Sequence, residues 1–177
     1  MQPDMPPSRT RLMTRIHARI AGRGNPVTAF VSQPEPRSIG HFAKGRQLVA
    51  GNYLFAGYLV EGEPGLDLWS LDPPTQSFAE ESHGFVWLDD LAAVGDAAAR
   101  NLAQDWVKGW IDLYGRGIGI GWSPDLTGRR LIRWINHAIF LLSGKGDEAS
   151  EAFFQSLGRQ THFLARRWQA TSPGLPR

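Results

Sequence analysis

The sequence predicts a mainly α-helical fold of antiparallel helical hairpins, and three observations predict it. Apolar residues recur three and four apart through segments 86–115, 124–142 and 147–170, which is the pattern of a buried helical stripe. The breaks between these segments are short, which favours helices that double back on their neighbours. Seven tryptophans and nine phenylalanines suit a large helical core, although such rings also line sugar-stacking grooves.

The elements follow in chain order. "SRTRLMTRIHARIAG" opens at Ser8, closes on Gly22 and sets Leu12, Ile16 and Ile20 four apart among arginines. It reads as a capped, basic amphipathic helix docked by that stripe, with a membrane-surface helix as the alternative. Pro, Gly, Ser and Asn mark a linker from Gly24 to Pro36. A helix then runs into the alternating aromatic segment Tyr53 to Val60, a strand or extended edge. Residues 62–82 are too rich in Pro and Gly for a regular element. Their Leu66, Leu68, Trp69, Leu71 and Phe78 require a loop packed down onto the protein.

From Trp87 the chain reads as helix, with Leu91, Val94, Ala98, Leu102, Trp106, Trp110 and Leu113 as one inward stripe ended by Gly115. A helix from Ser123-Pro124-Asp125 to about Leu142 comes next. A final one carries Ala149, Phe153, Leu157, Phe163, Leu164 and Trp168 inward, weakened at Gly158 by about 1 kcal/mol relative to alanine. Residues 1–36 thus form a basic helix and linker, and residues 37–177 a helical domain.

Composition narrows the function. At 177 residues, 42% hydrophobic and 20% charged, the chain suits one folded domain with an appendage. A net charge of +2, with arginines scattered in pairs, gives no tract for nucleic acid. The absence of cysteine excludes disulfides and thiolate metal sites. No run approaches the roughly twenty apolar residues of a membrane span, and the N-terminus has no signal-peptide core. A cytoplasmic protein is therefore expected, or a periplasmic one if a leader has been removed.

Several motifs fail as chemistry. "GRGIGIGW" fits neither phosphate-loop pattern and lies between helices, so it reads as a helix connection. His17, His41, His83, His137 and His162 occupy separate segments without a second ligand at helical spacing, so neither a metal nor another cofactor is expected. Glu80, Glu81, Asp89 and Asp90 could pair for glycoside hydrolysis, but they read more simply as solvated charges or as charges at a helix start.

The segment "GRRLIRWINHAIFLL" remains. At about 100° per residue, Leu131, Ile135, Ala138 and Leu142 cluster within about 60°, and Ile132, Trp134, Ile139 and Leu141 widen the apolar arc. Arg130, Arg133 and His137 form a cationic column opposite, with Trp134 at its margin and Asn136 in a second polar row beside Arg129. That column is either a surface face or a groove in which guanidinium forks meet carboxylate or sulfate and an indole stacks on a sugar.

In order, "GRQLVAGNYLFAGYLV", "LDLWSLDPP", "ESHGFVWLDDLA", "AQDWVKGWIDLYG" and "PDLTGRRLIRWINHAIFLL" resemble the N-terminal helical region of heparinase II/III-like proteins, over residues 45–168. The resemblance implies part of an incomplete (α/α) toroid that pairs with a C-terminal β-sheet domain and binds acidic, uronate-containing polysaccharide for β-elimination. The family's Asn-His pair follows the next helix, where this chain reads "TSPGLPR", so Asn136-His137 lies one helix too early to match it. The catalytic Tyr and the β-sheet domain would fall beyond Arg177. The resemblance therefore implies a helical domain that is catalytically incomplete alone. Its expected substrate-binding residues are Arg130, Arg133, Trp134, Asn136 and His137. The alternative is a non-enzymatic helical module docking on a partner or on its own β-sheet domain.

Overall fold

A computed structural model describes residues 8–24, 26–30 and 39–171. The mainly helical class is observed: eight α-helices and one two-stranded sheet make up the described residues, with short 3-10 turns between them. Most of the expected linker and the tail after Thr171 lie outside the described residues.

Helix α1 (Ser8–Ile20) runs into a 3-10 turn and packs on α8 (Asp147–Arg167). Its docked face differs from the expected one. Ala18 and Ala21 are buried, whereas Leu12 and Ile16 are exposed. Helix α2 (Phe42–Val49) lies across α4 (Val86–Val94), where a β-carbon on Gly45 would stand 2.2 Å from the Asp90 carbonyl oxygen. That approach of two backbones is open only to glycine.

Strands β1 (Asn52–Phe55) and β2 (Tyr58–Glu61) form an antiparallel hairpin with Tyr53 opposite Val60. Tyr53 and Phe55 point inward and are buried, so the alternating segment becomes both strands rather than one edge. The Pro/Gly-rich stretch is packed as expected, with Leu68 and Phe78 buried, but its second half is regular. Helix α3 (Gln76–His83) starts just after Pro73-Pro74 because the Thr75 hydroxyl accepts the Phe78 N–H.

The long helix expected from Trp87 to Gly115 is two. Gly95 adopts φ +70°, and the Asp96 carboxylate caps α5 (Ala97–Tyr114) through the Ala99 N–H. The phase of the stripe shifts at that break, so Ala99 is buried in place of Ala98, and Leu113 is left exposed. Similarly, the run to Leu142 divides at His137 into α6 (Pro124–Asn136) and α7 (Ala138–Leu142). On α8, Phe153, Leu157 and Phe163 are buried as expected, while Ala149 and Trp168 at its ends are exposed.

The core gathers five tryptophans, Trp87, Trp106, Trp110, Trp122 and Trp134, between α4, α5, α6 and α8. Edge-to-face contacts link them, as between Trp87 and Trp106 at 5.1 Å. These rings are core and offer no sugar-stacking groove. No helix among the described residues is long and apolar enough to cross a membrane.

Candidate functional site

The five expected binding residues lie on α6 and the break after it. Ser123 caps α6 by accepting the Leu126 N–H, and Pro124 starts its first turn. The central apolar stripe is inward as expected, with Leu131 and Ala138 buried and Ile135 and Leu142 half-buried. The cationic column, expected on the open side, faces inward as well: Arg130 and His137 are buried, and of the apolar arc Ile132 and Ile139 are the residues left out, 62% and 69% exposed.

Arg130 shows why. Its Nε donates to Gln160 Oε1 at 2.6 Å, and its Nη1 donates to the carbonyls of His83 at 3.1 Å and Gly121 at 2.9 Å. Its Nη2 donates to Thr127 Oγ1 at 3.3 Å, and the guanidinium carbon lies 4.0 Å over the Trp110 ring. One side chain thus ties α6 to α8, to the end of α3 and to the 3-10 turn before α6. The carbonyls it meets are those that a helix end leaves without partners. Burial pulls its pKa well down, yet the planar fork, its acceptors and three aromatic faces keep the cation in place.

Arg133 and His137 converge on one carboxylate. Arg133 Nε donates to Asp89 Oδ2 and His137 Nε2 meets Asp89 Oδ1, each at 2.8 Å, while Arg133 Nη1 donates to the Gly84 carbonyl at 2.9 Å. Burial alone would raise the Asp89 pKa, but the hydrogen bonds and charges of His137 and Arg133 outweigh it and hold it below the usual value. The neighbouring Asp90 accepts the His41 N–H at 2.7 Å, and burial pushes its pKa up. Asp89 and Asp90 are therefore internal braces, not solvated charges or a hydrolytic pair.

Trp134 stacks on Phe153 at 5.2 Å, so its ring offers no face to a ligand. Asn136 is half-buried at the end of α6. Arg130, Trp134 and His137 do come together in space, but as a seam between helices. Neither the small cleft at Lys44, Glu81 and Asp90 nor the cleft of about 240 Å³ at Arg116 and Arg159 is lined by any of the five. The Asp89-His137 pair is enclosed, with both side chains less than a tenth exposed. Among the described residues no group of three His, Asp or Glu could hold a metal ion.

Sequence reasoning missed Gln160 and His83. Gln160 falls on the α8 stripe between Leu157 and Phe163, and a polar residue at an apolar position signals a buried partner. His83 accepts the Trp110 indole N–H through Nδ1 at 3.0 Å. Burial, with the Arg130 charge adding to it, lowers its pKa to about 4, so the ring is neutral. Phe85 follows in the left-handed region at φ +62°, unusual for an aromatic residue, with its ring between Trp87 and Trp134.

No family model matches the chain. No solved structure matches it either. Over 127 residues, 71% of the chain, it is 31% identical to FtsZ-localized protein C of Caulobacter vibrioides. The matched stretch spans 20% of that relative.

Proposed function

We propose that the chain is the N-terminal helical domain of a heparinase II/III-like protein and acts there as a docking wall that carries no ligand site of its own along α6. The observation that carries this reading is the burial of the polar column of α6 together with the exposure of two isoleucines. Its polar residues are consumed in bracing the fold, while Ile132 and Ile139 stand in water seven residues apart on the outer side. Leaving each isoleucine exposed forgoes about 1.5–3 kcal/mol of burial, which a companion surface would recover. The order of the five family-like segments points to the same companion, a β-sheet domain.

In such a parent the acidic polysaccharide would be bound between the two domains, and the elimination chemistry would belong to residues outside this chain. The partial toroid is the architecture this reading expects of the helices.

Hydroxyl-radical footprinting tests the reading by comparing the isolated chain with the protein in its native assembly. Ile132 and Ile139 should be labelled strongly in the isolated chain and about tenfold less in the assembly, as expected for side chains covered by a packed interface. Equal labelling in both would overturn it.

A further inference from the structure

Helix α1 presents three faces. The first packs on α8 through small side chains: Ala18 and the following Ala21 are buried, and Arg167 Nη2 donates to the Thr10 carbonyl and to Thr14 Oγ1, each at 3.3 Å. The second carries the large apolar residues outward, with Leu12 58% exposed and Met13 and Ile16 each 43% exposed. The third is cationic. Arg15 and Arg19 are exposed, with Arg23 following in the next turn. At about 100° per residue, Arg19 falls only about 20° from Leu12, so the arginines directly flank the apolar stripe.

This distribution reverses what a docked helix needs. Small residues make the protein contact, and the residues with most to gain from leaving water face away from it. We infer that the outer face of α1 is a docking surface for an anionic lipid bilayer, entered in the plane of the interface with Leu12, Met13 and Ile16 dipping below the headgroups.

Charge selects this occupant. The helix SRTRLMTRIHARI contains no acidic residue, so a second copy placed on the stripe would bring two arginine rows together. A negatively charged bilayer instead takes the guanidinium groups at the phosphate level while their aliphatic stems lie along the apolar boundary. Three large side chains make a shallow anchor, so attachment depends on both the apolar stripe and the charge. The inference is independent of the role proposed for α6, since the two surfaces lie on different helices.

Cosedimentation of the purified protein with vesicles tests it. Vesicles of phosphatidylcholine containing about one third phosphatidylserine should retain the protein at low salt and release it as salt rises, while pure phosphatidylcholine should not retain it. The pair Arg15→Gln and Arg19→Gln should weaken retention roughly 30-fold, given the usual attraction per surface cation. The pair Leu12→Ser and Ile16→Ser should abolish retention while lowering the melting temperature by no more than a few degrees, because both side chains are exposed. Failure to bind the anionic vesicles, equal binding to neutral ones, or indifference to the Leu12/Ile16 pair would each overturn the inference. So would a concentration-dependent dimer that the same pair abolishes, because a second copy would then be the occupant.

Discussion

Along the inner side of α6, Arg130, Arg133 and His137 exchange water for carbonyls, a carboxylate and aromatic rings, whereas on the outer side Ile132 and, past the break, Ile139 remain exposed. Side-chain polarity alone would assign these sides the other way round. What decides is the demand of the surrounding backbone. The end of α3 and the turn before α6 leave the carbonyls of His83, Gly84 and Gly121 inside the protein, and an arginine fork answers several of them at once. Among the described residues the isoleucines stand mostly exposed, so their loss should be felt chiefly by whatever covers them.

The sharpest way to break this contrast is Arg130→Ala. It removes a buried cation and takes their donor from Gln160 Oε1 and the His83 carbonyl, and should cost about 3–5 kcal/mol, read from the midpoint of urea unfolding. Arg130→Met fills most of the volume without the charge and should cost clearly less. Equal losses for the two would mean that the hydrogen bonds contribute little beyond packing.

The pH dependence of stability separates the two titrating sites of the seam. His83 is neutral when folded, with its pKa lowered to about 4, so the unfolded chain takes up a proton that the folded chain refuses. Stability should therefore fall as pH drops from about 6.5 to about 4, by about 3 kcal/mol in total. His83→Gln keeps an acceptor for Trp110 and should flatten that limb. Asp89 acts lower: its depressed pKa contributes stability above the ordinary carboxylate value of about 4, and that contribution is lost as pH falls through the folded pKa.

How much of this could be read from the sequence follows from the same physics. The helical class and the helix start at Ser123 depend on local spacing and backbone preference, and they are legible; the break at Gly95 was passed over because the apolar spacing continues across it. The inward stripes of α5 and α8 are legible where Trp106, Trp110, Phe153 and Phe163 repeat, and they fail at the ends. On α6 the stripe of Leu131 and Ala138 was legible, but the burial of the opposite, cationic column was not, because the carbonyls and the carboxylate that receive it belong to neighbours unknown from local pattern. The candidate binding residues were found as a cluster, but the partners that fix them, Gln160, His83, Gly84 and Asp89, lie 30 to 49 positions away.

Arg133→Ala tests the seam where it is partly open. Its side chain is 21% exposed and shares Asp89 with His137, so the loss should be about 1–3 kcal/mol, smaller than at Arg130. The Asp89 pKa should rise as its cationic partner leaves, and the acid limb below pH 4 should shrink, whereas Arg133→Lys should restore part of both. A binding role for Arg133 predicts the opposite pattern, with weaker retention of a uronate oligosaccharide at unchanged stability.

The smallest effect is expected at the outer row. Ile132→Ser and Ile139→Ser remove apolar surface that already faces water in the isolated chain, so the stability of the chain should change by no more than about 0.5 kcal/mol. Helix propensity changes little between Ile and Ser, which leaves burial as the variable being tested. If the pair costs several kcal/mol in the isolated chain, the row is packed in solution and the contrast between the two sides of α6 fails. If stability holds but the native assembly loses its footprint at these positions, the outer side exists for a partner, just as the inner side exists for the fold.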